Sequence, residues 1–262
     1  MSSLRDVLDK VANKEITPTQ AEKLLKLDAI SLVGCLAKLD GNREIRKGVP
    51  EIILAEGKTP SEILEISKRM FEENGRVIVS RCTEKHVTAL KEAFDKNALL
   101  EVNDKAKTVV AKKHNFVSYQ SGGRVAVLTA GTSDIPVAEE AKVIAQEMGC
   151  SVWSSYDVGV AGIHRLLDPM KEIVAKDIDV VVVVAGREGA LASVVSGLVD
   201  VPVIAVPTSN GYGFGGKGVG TLMAMLQACS LGLAVVNIDG GVAAGAVAAL
   251  IANRNGKLRK KR

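Results

Sequence analysis

The sequence predicts a doubly wound parallel α/β sheet that follows a smaller α+β module. From Arg124 onward, apolar runs of four to six residues alternate with segments of helical period, which is typical of parallel sheets. The run Val180–Val184 consists of five consecutive valines, so this strand must be covered on both faces. Glycine-rich turns follow the runs. Right-handed crossovers would bring all of these turns to one edge of the sheet, where ligands bind.

Residues 1–118 are predicted to form the α+β module. A threonine, a proline and then a Glu or Gln open two of its helices, after Thr17 and after Thr59, in the pattern of a capping box. Gly75 ends the second of these helices. The other predicted elements are a helix at 4–12, a strand at 77–79, a helix from Thr83 and a strand at 107–111.

Residues 119–255 are predicted to form the main domain, and the basic residues 256–262 a disordered tail. The five predicted strands are 125–130, 151–156, 180–185, 203–206 and 234–238. The helices that follow them are 135–148, 163–175, 190–198, 219–230 and 242–252.

Composition excludes several classes of protein. The aromatic content of 3% is too low for a surface that stacks single-stranded bases. Five positive charges lie in the last six residues, so the remainder of the chain is close to neutral despite a net charge of +4. The four cysteines are widely separated and form no C-x-x-C pair, which excludes an ordinary zinc knuckle or a thioredoxin-type site. Without an apolar leader or a run of ~18 apolar residues, we expect a cytoplasmic enzyme that binds neither membrane nor nucleic acid.

The turn after the first strand of the main domain is the clearest candidate site. It consists of Gly131, Thr132, Ser133 and Asp134, and Asp134 is expected to cap the following helix. Backbone N–H groups and a helix N-terminus at this position favour an anion, usually phosphate.

Charged residues on three other turns are further candidates. His164 and Arg165 follow a flexible Gly-Val-Ala-Gly segment, and Arg187 and Glu188 lie between two glycines. The structural alternatives are that His164 is an ordinary surface histidine and that Arg187 and Glu188 form a surface ion pair. The segment 211–216 fits a G-x-G-x-x-G dinucleotide fingerprint, with Asp239 beyond it, but its first glycine is several residues past the strand. A mobile loop that covers phosphate, with Lys217 as its charge, is the favoured interpretation.

Four segments of the second half resemble PurE, the aminoimidazole ribonucleotide carboxylase and mutase family, whose fold is flavodoxin-like. In that family, a Gly-Ser-x-Ser-Asp turn and a His-Arg pair hold the ribonucleotide phosphate, which implies this role for the 131–134 turn and for His164 and Arg165. PurE has alanine and histidine where this chain has Arg187 and Glu188, and it lacks the first module. The segments are 130–136, 163–165, 184–191 and 201–207.

The whole chain resembles the LarB family of nickel-pincer cofactor biosynthesis. This resemblance implies carboxylation of the pyridinium ring of nicotinic acid adenine dinucleotide and cleavage of its phosphoanhydride, giving pyridinium-3,5-biscarboxylic acid mononucleotide and AMP. Without the resemblance, Cys229 would be interpreted as a packed thiol near a helix C-terminus. The segments that carry it are 48–51 with 57–59, 156–165, 211–220, and Cys229 with 236–239.

The implied chemistry gives each candidate a role. Cys229 would add to the ring as a covalent nucleophile, and Glu188, held by Arg187, would be the general base, with Asp134 as the alternative. Asp157 is expected to contact the substrate, and Asp157 and Asp239 are possible ligands of a divalent cation, most simply Mg²⁺, although no ligand cluster is evident. PurE-like domains assemble into octamers, so a homo-octamer is expected. The alternatives are a PurE-type enzyme acting on an imidazole ribonucleotide, a dinucleotide-dependent oxidoreductase and a non-catalytic binding protein.

Overall fold

The computed structural model describes residues 4–25, 30–33, 37–40, 43–211 and 213–260. The chain divides into two compact units. The first unit contains Met1–Val102 and Val109–Phe116, and the second contains Asn103–Thr108 and Val117–Arg262. The sequence placed the boundary after residue 118 and did not separate the segment 103–108 from the first module.

The first unit is an α+β fold with a four-stranded mixed sheet in the order β3-β4-β6-β5 and a separate β1-β2 ribbon. Strands β3 and β4 are parallel, whereas β4 and β6 are antiparallel. Its core lies between this sheet and helices α4 and α5. The elements are α1 (Leu4–Ala12), α2 (Pro18–Leu25), β1 (Ile30–Val33), β2 (Ala37–Asp40), α3 (Arg43–Lys47), β3 (Ile53–Leu54), α4 (Pro60–Asn74), β4 (Arg76–Ser80), α5 (Glu84–Phe94), β5 (Leu99–Asn103) and β6 (Thr108–Lys112).

The predicted helix starts are present. Thr59 and Glu62 form a reciprocal capping box at α4, and Gly75 ends that helix in the left-handed conformation. At α5, His86 takes the place of the usual Glu, and its Nδ1 accepts from the Thr83 backbone N–H at 3.1 Å. His86 is therefore a buried structural residue.

The second unit confirms the predicted doubly wound sheet. Its strands are all parallel in the order β11-β10-β9-β7-β8, with helices on both faces. Strand β9 is entirely buried and pairs with β7 on one side and β10 on the other. The elements are β7 (Arg124–Thr129), α6 (Ile135–Glu147), β8 (Ser151–Ser155), α7 (Leu167–Ala175), β9 (Val180–Ala185), α8 (Ala190–Ser196), β10 (Val203–Pro207), α9 (Val219–Leu226), β11 (Leu233–Val235) and α10 (Gly241–Arg259).

The C-terminal end of the chain differs from the prediction. Helix α10 continues to Arg259 instead of ending at Ala252, so most of the predicted disordered tail is helical. Arg259 makes an ion pair with the buried carboxylate of Asp179 at the start of β9, and Lys260 Nζ donates to the Gln120 carbonyl at 2.6 Å. The sequence shows a run of positive charge here. It does not show that Arg259, within this run, forms an ion pair with a buried carboxylate. Residues 261 and 262 lie outside the described residues.

Helix α10 packs against α6 at very short range. The contact runs along small residues, among them Gly241, Gly245 and Ala248. A methyl group placed on Gly245 would overlap the carbonyl oxygen of Ala141 on α6. The small face of α10 therefore packs within the protomer.

Within the described residues, no helix is both long enough and apolar enough to cross a lipid bilayer.

We expect Gly245→Ala to lower the free energy of unfolding by about 1–3 kcal/mol, because the added methyl must push α10 away from α6. In an unconstrained helix the same change is stabilising by roughly 1 kcal/mol, so the sign is diagnostic. Urea denaturation measures the difference. Ala243→Ser, at an exposed position of the same helix, is the control and should change stability by no more than about 0.5 kcal/mol. A more stable Gly245→Ala variant would contradict the close packing.

Candidate functional site

The strand-to-helix turns of the second unit meet at the carboxyl edge of the sheet, because all five strands are parallel. Four of these turns hold a non-glycine residue with a positive φ angle, a conformation that costs such residues free energy. Strain of this kind clusters at functional sites. The residues are Asp157 (φ 59°), Arg187 (φ 54°), Lys217 (φ 48°) and Asp239 (φ 54°).

Asp134 lies at the centre of this edge and is only 3% exposed. One carboxylate oxygen accepts from the Gly131 backbone N–H at 2.9 Å, and the other accepts from the Thr208 hydroxyl at 2.7 Å. Burial raises the pKa of the Asp134 carboxyl, although hydrogen bonds from Thr208, Gly131 and Asn210 oppose the rise. The predicted cap is wrong: Asp134 is the N-cap residue of α6, but its side chain makes no capping bond to the helix. It turns instead toward the ends of β9 and β10, whose proximity the local sequence does not reveal.

The other members of the first turn face outward. Thr132 and Ser133 are exposed and form a short 3₁₀ turn with Asp134 directly before α6. Asn210, after β10, donates from its side-chain amide to the Ser133 carbonyl at 2.6 Å. The first turn is thus bonded to the turn after β10, with its two hydroxyl groups on the outer side.

The second turn places Asp157 and Arg165 in contact. Arg165 Nη1 lies 2.6 Å from Asp157 Oδ2, and both side chains are partly exposed. The Asp157 backbone N–H donates to the Thr129 hydroxyl at 3.0 Å, which holds the strained residue against the end of β7. His164 is exposed on the neighbouring 3₁₀ segment Val160–Leu166. The turn therefore presents a guanidinium group and an imidazole, on a 3₁₀ segment and not at the start of a regular α-helix.

A buried polar cluster supports this second turn. The hydroxyl of Tyr156 donates to the Glu139 carboxylate, which also accepts from Lys142 at 3.1 Å and from Asn103 at 2.7 Å. Tyr156 directly precedes Asp157, so the cluster anchors the end of the strand from which the Asp157 turn projects.

The third turn exposes both of its charged side chains. Arg187 and Glu188 lie between Gly186 and Gly189, and the Arg187 carbonyl accepts from the Thr221 hydroxyl of α9. Glu188 is open to solvent in this protomer, in contrast to the buried carboxylate of Asp134.

The glycine-rich loop lies after β10, which is next to the edge strand β11. The first glycine of the possible dinucleotide fingerprint, Gly211, is four residues past the end of β10, so there is no tight turn of the kind that a Rossmann site requires. Lys217 is exposed, and Gly218 precedes α9 in the left-handed conformation. This arrangement fits a loop that covers a ligand better than a hydride-transfer site.

Cys229 is exposed, and it does not lie at the same edge as the other candidates. Helix α9 ends at Leu226 instead of Ser230, and Cys229 lies in the segment that leads to the amino end of β11. The neighbouring Ser230 donates to the Ser193 carbonyl at 2.7 Å, and Leu231 accepts from Ser196 near the end of α8. The length of β10 separates the two edges, about 15 Å at the usual rise per residue. One protomer therefore does not bring Cys229 to Asp134.

The described residues contain no group of three or more His, Cys, Asp or Glu side chains that could hold a metal ion. Asp157 is paired with Arg165, and Asp239 Oδ1 accepts from the Ser209 backbone N–H at 2.9 Å. The side chains present do not by themselves form a divalent cation site.

Sequence reasoning missed Thr208 and Asn210, which contact Asp134 and its turn. In the sequence, the segment 207–210 was noted only because it separates the first glycine of the dinucleotide fingerprint from the strand. The available signal was its position: polar residues directly after a buried strand lie at the ligand edge of a parallel sheet.

Comparison with known proteins gives consistent results for both units. A family profile described as "LarB/PurE-like N-terminal domain" matches residues 31–114, and one described as "AIR carboxylase" matches residues 124–262. An uncharacterized protein of Methanocaldococcus jannaschii is 43% identical over 252 residues, which cover 95% of this chain and 97% of that protein. The N5-carboxyaminoimidazole ribonucleotide mutase of Thermotoga maritima is 32% identical over 91 residues, or 33% of this chain and 51% of that enzyme.

The raised pKa of Asp134 makes a prediction about stability. The folded protein binds more protons than the unfolded chain between the unfolded and folded pKa values, so the carboxyl lowers stability as the pH rises through that window. We expect the free energy of unfolding of Asp134→Asn, relative to that of the wild type, to rise over this window by about 1.4 kcal/mol for each unit of pKa difference. A cost that does not depend on pH is added, because the Asn side chain has one acceptor oxygen instead of two. The gain should be absent below the unfolded pKa.

Urea denaturation at a series of pH values measures this effect. Asp168→Asn is the control, because a hydrogen bond from Lys171 lowers the pKa of that exposed carboxyl and its replacement should give no such gain. A stability difference between Asp134→Asn and the wild type that does not vary with pH would contradict the assignment.

Proposed function

This chain belongs to the LarB-like family, with a LarB/PurE-like N-terminal domain and an AIR carboxylase domain, and we propose that it carboxylates the pyridinium ring of nicotinic acid adenine dinucleotide. In the same proposal it hydrolyses the phosphoanhydride, so that the products are pyridinium-3,5-biscarboxylic acid mononucleotide and AMP. The observation that carries the proposal is the convergence of an anion-binding turn, Arg165 and the buried Asp134 carboxylate at one sheet edge.

The first turn is suited to hold the phosphate of the mononucleotide half. Thr132 and Ser133 offer two exposed hydroxyl groups at the N-terminus of the 13-residue helix α6, where the helix dipole favours an anion. Arg165 and His164 add donors from the second turn, and Lys217 adds a positive charge from the loop after β10. This assignment places the ring near Asp134, Arg187 and Glu188.

Carboxylation requires an activated ring, because a pyridinium is electron-poor and does not attack CO2. A thiolate that adds to the carbon para to nitrogen gives a neutral dihydropyridine with a nucleophilic meta carbon. That carbon forms a bond to CO2 and leaves an iminium. Loss of its proton to a base restores the enamine, and expulsion of the thiolate restores the aromatic pyridinium. The cysteine is regenerated, and no oxidant or reductant is consumed.

The position of Cys229 determines where this thiolate comes from. Since Cys229 of one protomer lies at the opposite edge of the sheet, we propose that Cys229 of the partner subunit completes the site. The neighbouring surface is suited to such a contact: Val219, Met223 and Leu226 form an exposed apolar stripe along α9, and Leu231 is 91% exposed. A homo-octamer, as expected from the sequence, would contain interfaces of this kind.

Two carboxylates are candidates for the base. Glu188 is exposed and free to approach the ring, whereas Asp134 is buried, and burial raises the pKa of its carboxyl toward the range of a general base. Glu188 remains the proposed base and Asp134 the alternative.

The proposed divalent cation, most simply Mg²⁺, would assist phosphoanhydride hydrolysis. Because the described side chains form no ligand cluster, the substrate's phosphate oxygens and water would have to supply most of the ligands, as is common for Mg²⁺.

A PurE-type reaction on an imidazole ribonucleotide is the second candidate. It is favoured by the match of residues 124–262 to the AIR carboxylase profile and by the similarity to the Thermotoga maritima mutase. The match of residues 31–114 to the LarB/PurE-like N-terminal profile favours the first reaction.

The protein is incubated with nicotinic acid adenine dinucleotide, bicarbonate and Mg²⁺, and the products are detected by mass spectrometry. We expect AMP and a mononucleotide that is heavier than nicotinic acid mononucleotide by one CO2. Cys229→Ser should lower the rate at least about 1,000-fold, because a covalent nucleophile is lost. Cys82→Ser is the matched control, since burial raises the pKa of that thiol to about 12 and keeps it unreactive. Carboxylation of an imidazole ribonucleotide instead would favour the second candidate.

The shared site makes a separate prediction. Cys229→Ser and Glu188→Gln should each be inactive alone, but dissociated and reassembled mixtures should recover activity, because some sites then combine an intact Glu188 with an intact Cys229 of the partner subunit. Activity measured before and after mixing checks this. The mixed oligomers are verified by mass spectrometry. If they recover no activity, either both residues act within one chain or Cys229 is not part of the site.

A further inference from the structure

Thr208 is a buried polar residue to which no role has yet been assigned. It directly follows β10 and has 0% exposure. Its backbone N–H donates to the Ala185 carbonyl at 3.0 Å, which extends the pairing of β10 with β9 by one residue. Its hydroxyl donates to Asp134 Oδ1 at 2.7 Å. Main chain and side chain are therefore both fixed.

We propose that Thr208 is a positioning residue for Asp134, whose carboxylate it orients and whose charged form it stabilises through this one hydrogen bond. The proposal rests on the proposed function only in so far as Asp134 belongs to the substrate site.

Two glycines make room for this hydrogen bond. A methyl group on Gly186 would lie 2.9 Å from the Thr208 hydroxyl oxygen and 3.6 Å from Asp134 Oδ1. A methyl group on Gly218 would lie 2.9 Å from the Thr208 carbonyl oxygen. Side chains at either position would displace Thr208, so the local backbone is built around the contact.

The donors that reach the Asp134 carboxylate are all uncharged. The Thr208 hydroxyl and the Gly131 backbone N–H make the two hydrogen bonds, and the Asn210 amide and the Gly186 backbone N–H lie near enough to help to lower the pKa of the carboxyl. The charged side chains on the surrounding turns are those of Asp157, His164 (when protonated), Arg165, Arg187, Glu188, Lys217 and Asp239. A substitution at Thr208 changes none of these, so its effect on Asp134 can be isolated.

The hydrogen bond also determines which lone pairs of Asp134 are available. Each carboxylate oxygen has two acceptor positions, and Gly131 and Thr208 occupy one position on each oxygen. The remaining positions are then held in fixed directions. A carboxylate that interacts with the substrate through them keeps its orientation only while the Thr208 hydroxyl is present.

The test compares Thr208→Val, which keeps the shape and removes the hydroxyl, with Thr208→Ser, which keeps the hydroxyl. The titration of Asp134 is followed by carboxyl ¹³C NMR in full-length protein labelled at aspartate, with Asp134→Asn used to assign the signal. We expect Thr208→Val to raise the titration midpoint by about one pH unit or more, since a donor to the charged form is lost. Thr208→Ser should titrate within about 0.3 units of the wild type, well below the one-unit change expected from the lost hydrogen bond.

Gly186→Ala should also raise the titration midpoint of Asp134, because the added methyl group pushes the Thr208 hydroxyl away from the carboxylate. Thr208→Ala replaces Thr208→Val if that variant does not fold. An unchanged midpoint in the folded hydroxyl-free variant overturns the proposal.

Activity provides a second and separate readout. The acid limb of the rate profile with nicotinic acid adenine dinucleotide should move to higher pH in Thr208→Val and return in Thr208→Ser. If the wild-type protein does not carboxylate that substrate, the proposed function fails. The NMR titration then still decides whether Thr208 controls Asp134.

Discussion

The hydrogen bonds that β9 makes along both of its edges fix the relative positions of the three central turns at the carboxyl edge. Its valines pair with β7 on one side and with β10 on the other. The turn with Asp134 follows β7, the turn with Arg187 and Glu188 follows β9 itself, and Thr208 follows β10. Because the pairing is parallel and the side chains are fully buried, these strand ends cannot slip relative to one another without exposing apolar surface. The distance of 2.7 Å between Thr208 and Asp134 is a consequence of that register.

Stability and function make opposing demands on Asp134. A buried carboxylate costs free energy unless hydrogen bonds replace its hydration, and here the replacement comes from uncharged donors on three turns. The result is a buried carboxyl group whose pKa is raised and whose orientation is fixed by hydrogen bonds. Sites where titratable groups are perturbed in this way are often functional, since a general base works best when its pKa approaches the operating pH.

Much of the fold was accessible from the sequence because its signals are local. Capping boxes at Thr17 and Thr59, glycine turns and the valine run of β9 identified most elements of both units. Two features that were missed have different causes. Strand β5 has a half-exposed pattern, and the last turns of α10 are stabilised by Asp179, far away in the chain. At the site, the turn residues were identified from their positions after strands. The partnership of Asp134 with Thr208, 74 residues later, was not, because only strand order brings them together. The length of α9 was overestimated because no glycine or proline interrupts the sequence between Leu226 and Gly232, and Cys229 was therefore assigned to a helix that has already ended.

The contact between α10 and the rest of the second unit has a consequence for biosynthesis. Helix α10 fills one face of the sheet beside α6, and Arg259 near its end holds the start of β9 through Asp179. Helix α10 follows every strand of this sheet in the chain, so it leaves the ribosome after them. Until then the nascent second unit lacks a layer over a sheet that needs both faces covered. The unit can therefore reach its native packing only once α10 itself has left the exit tunnel.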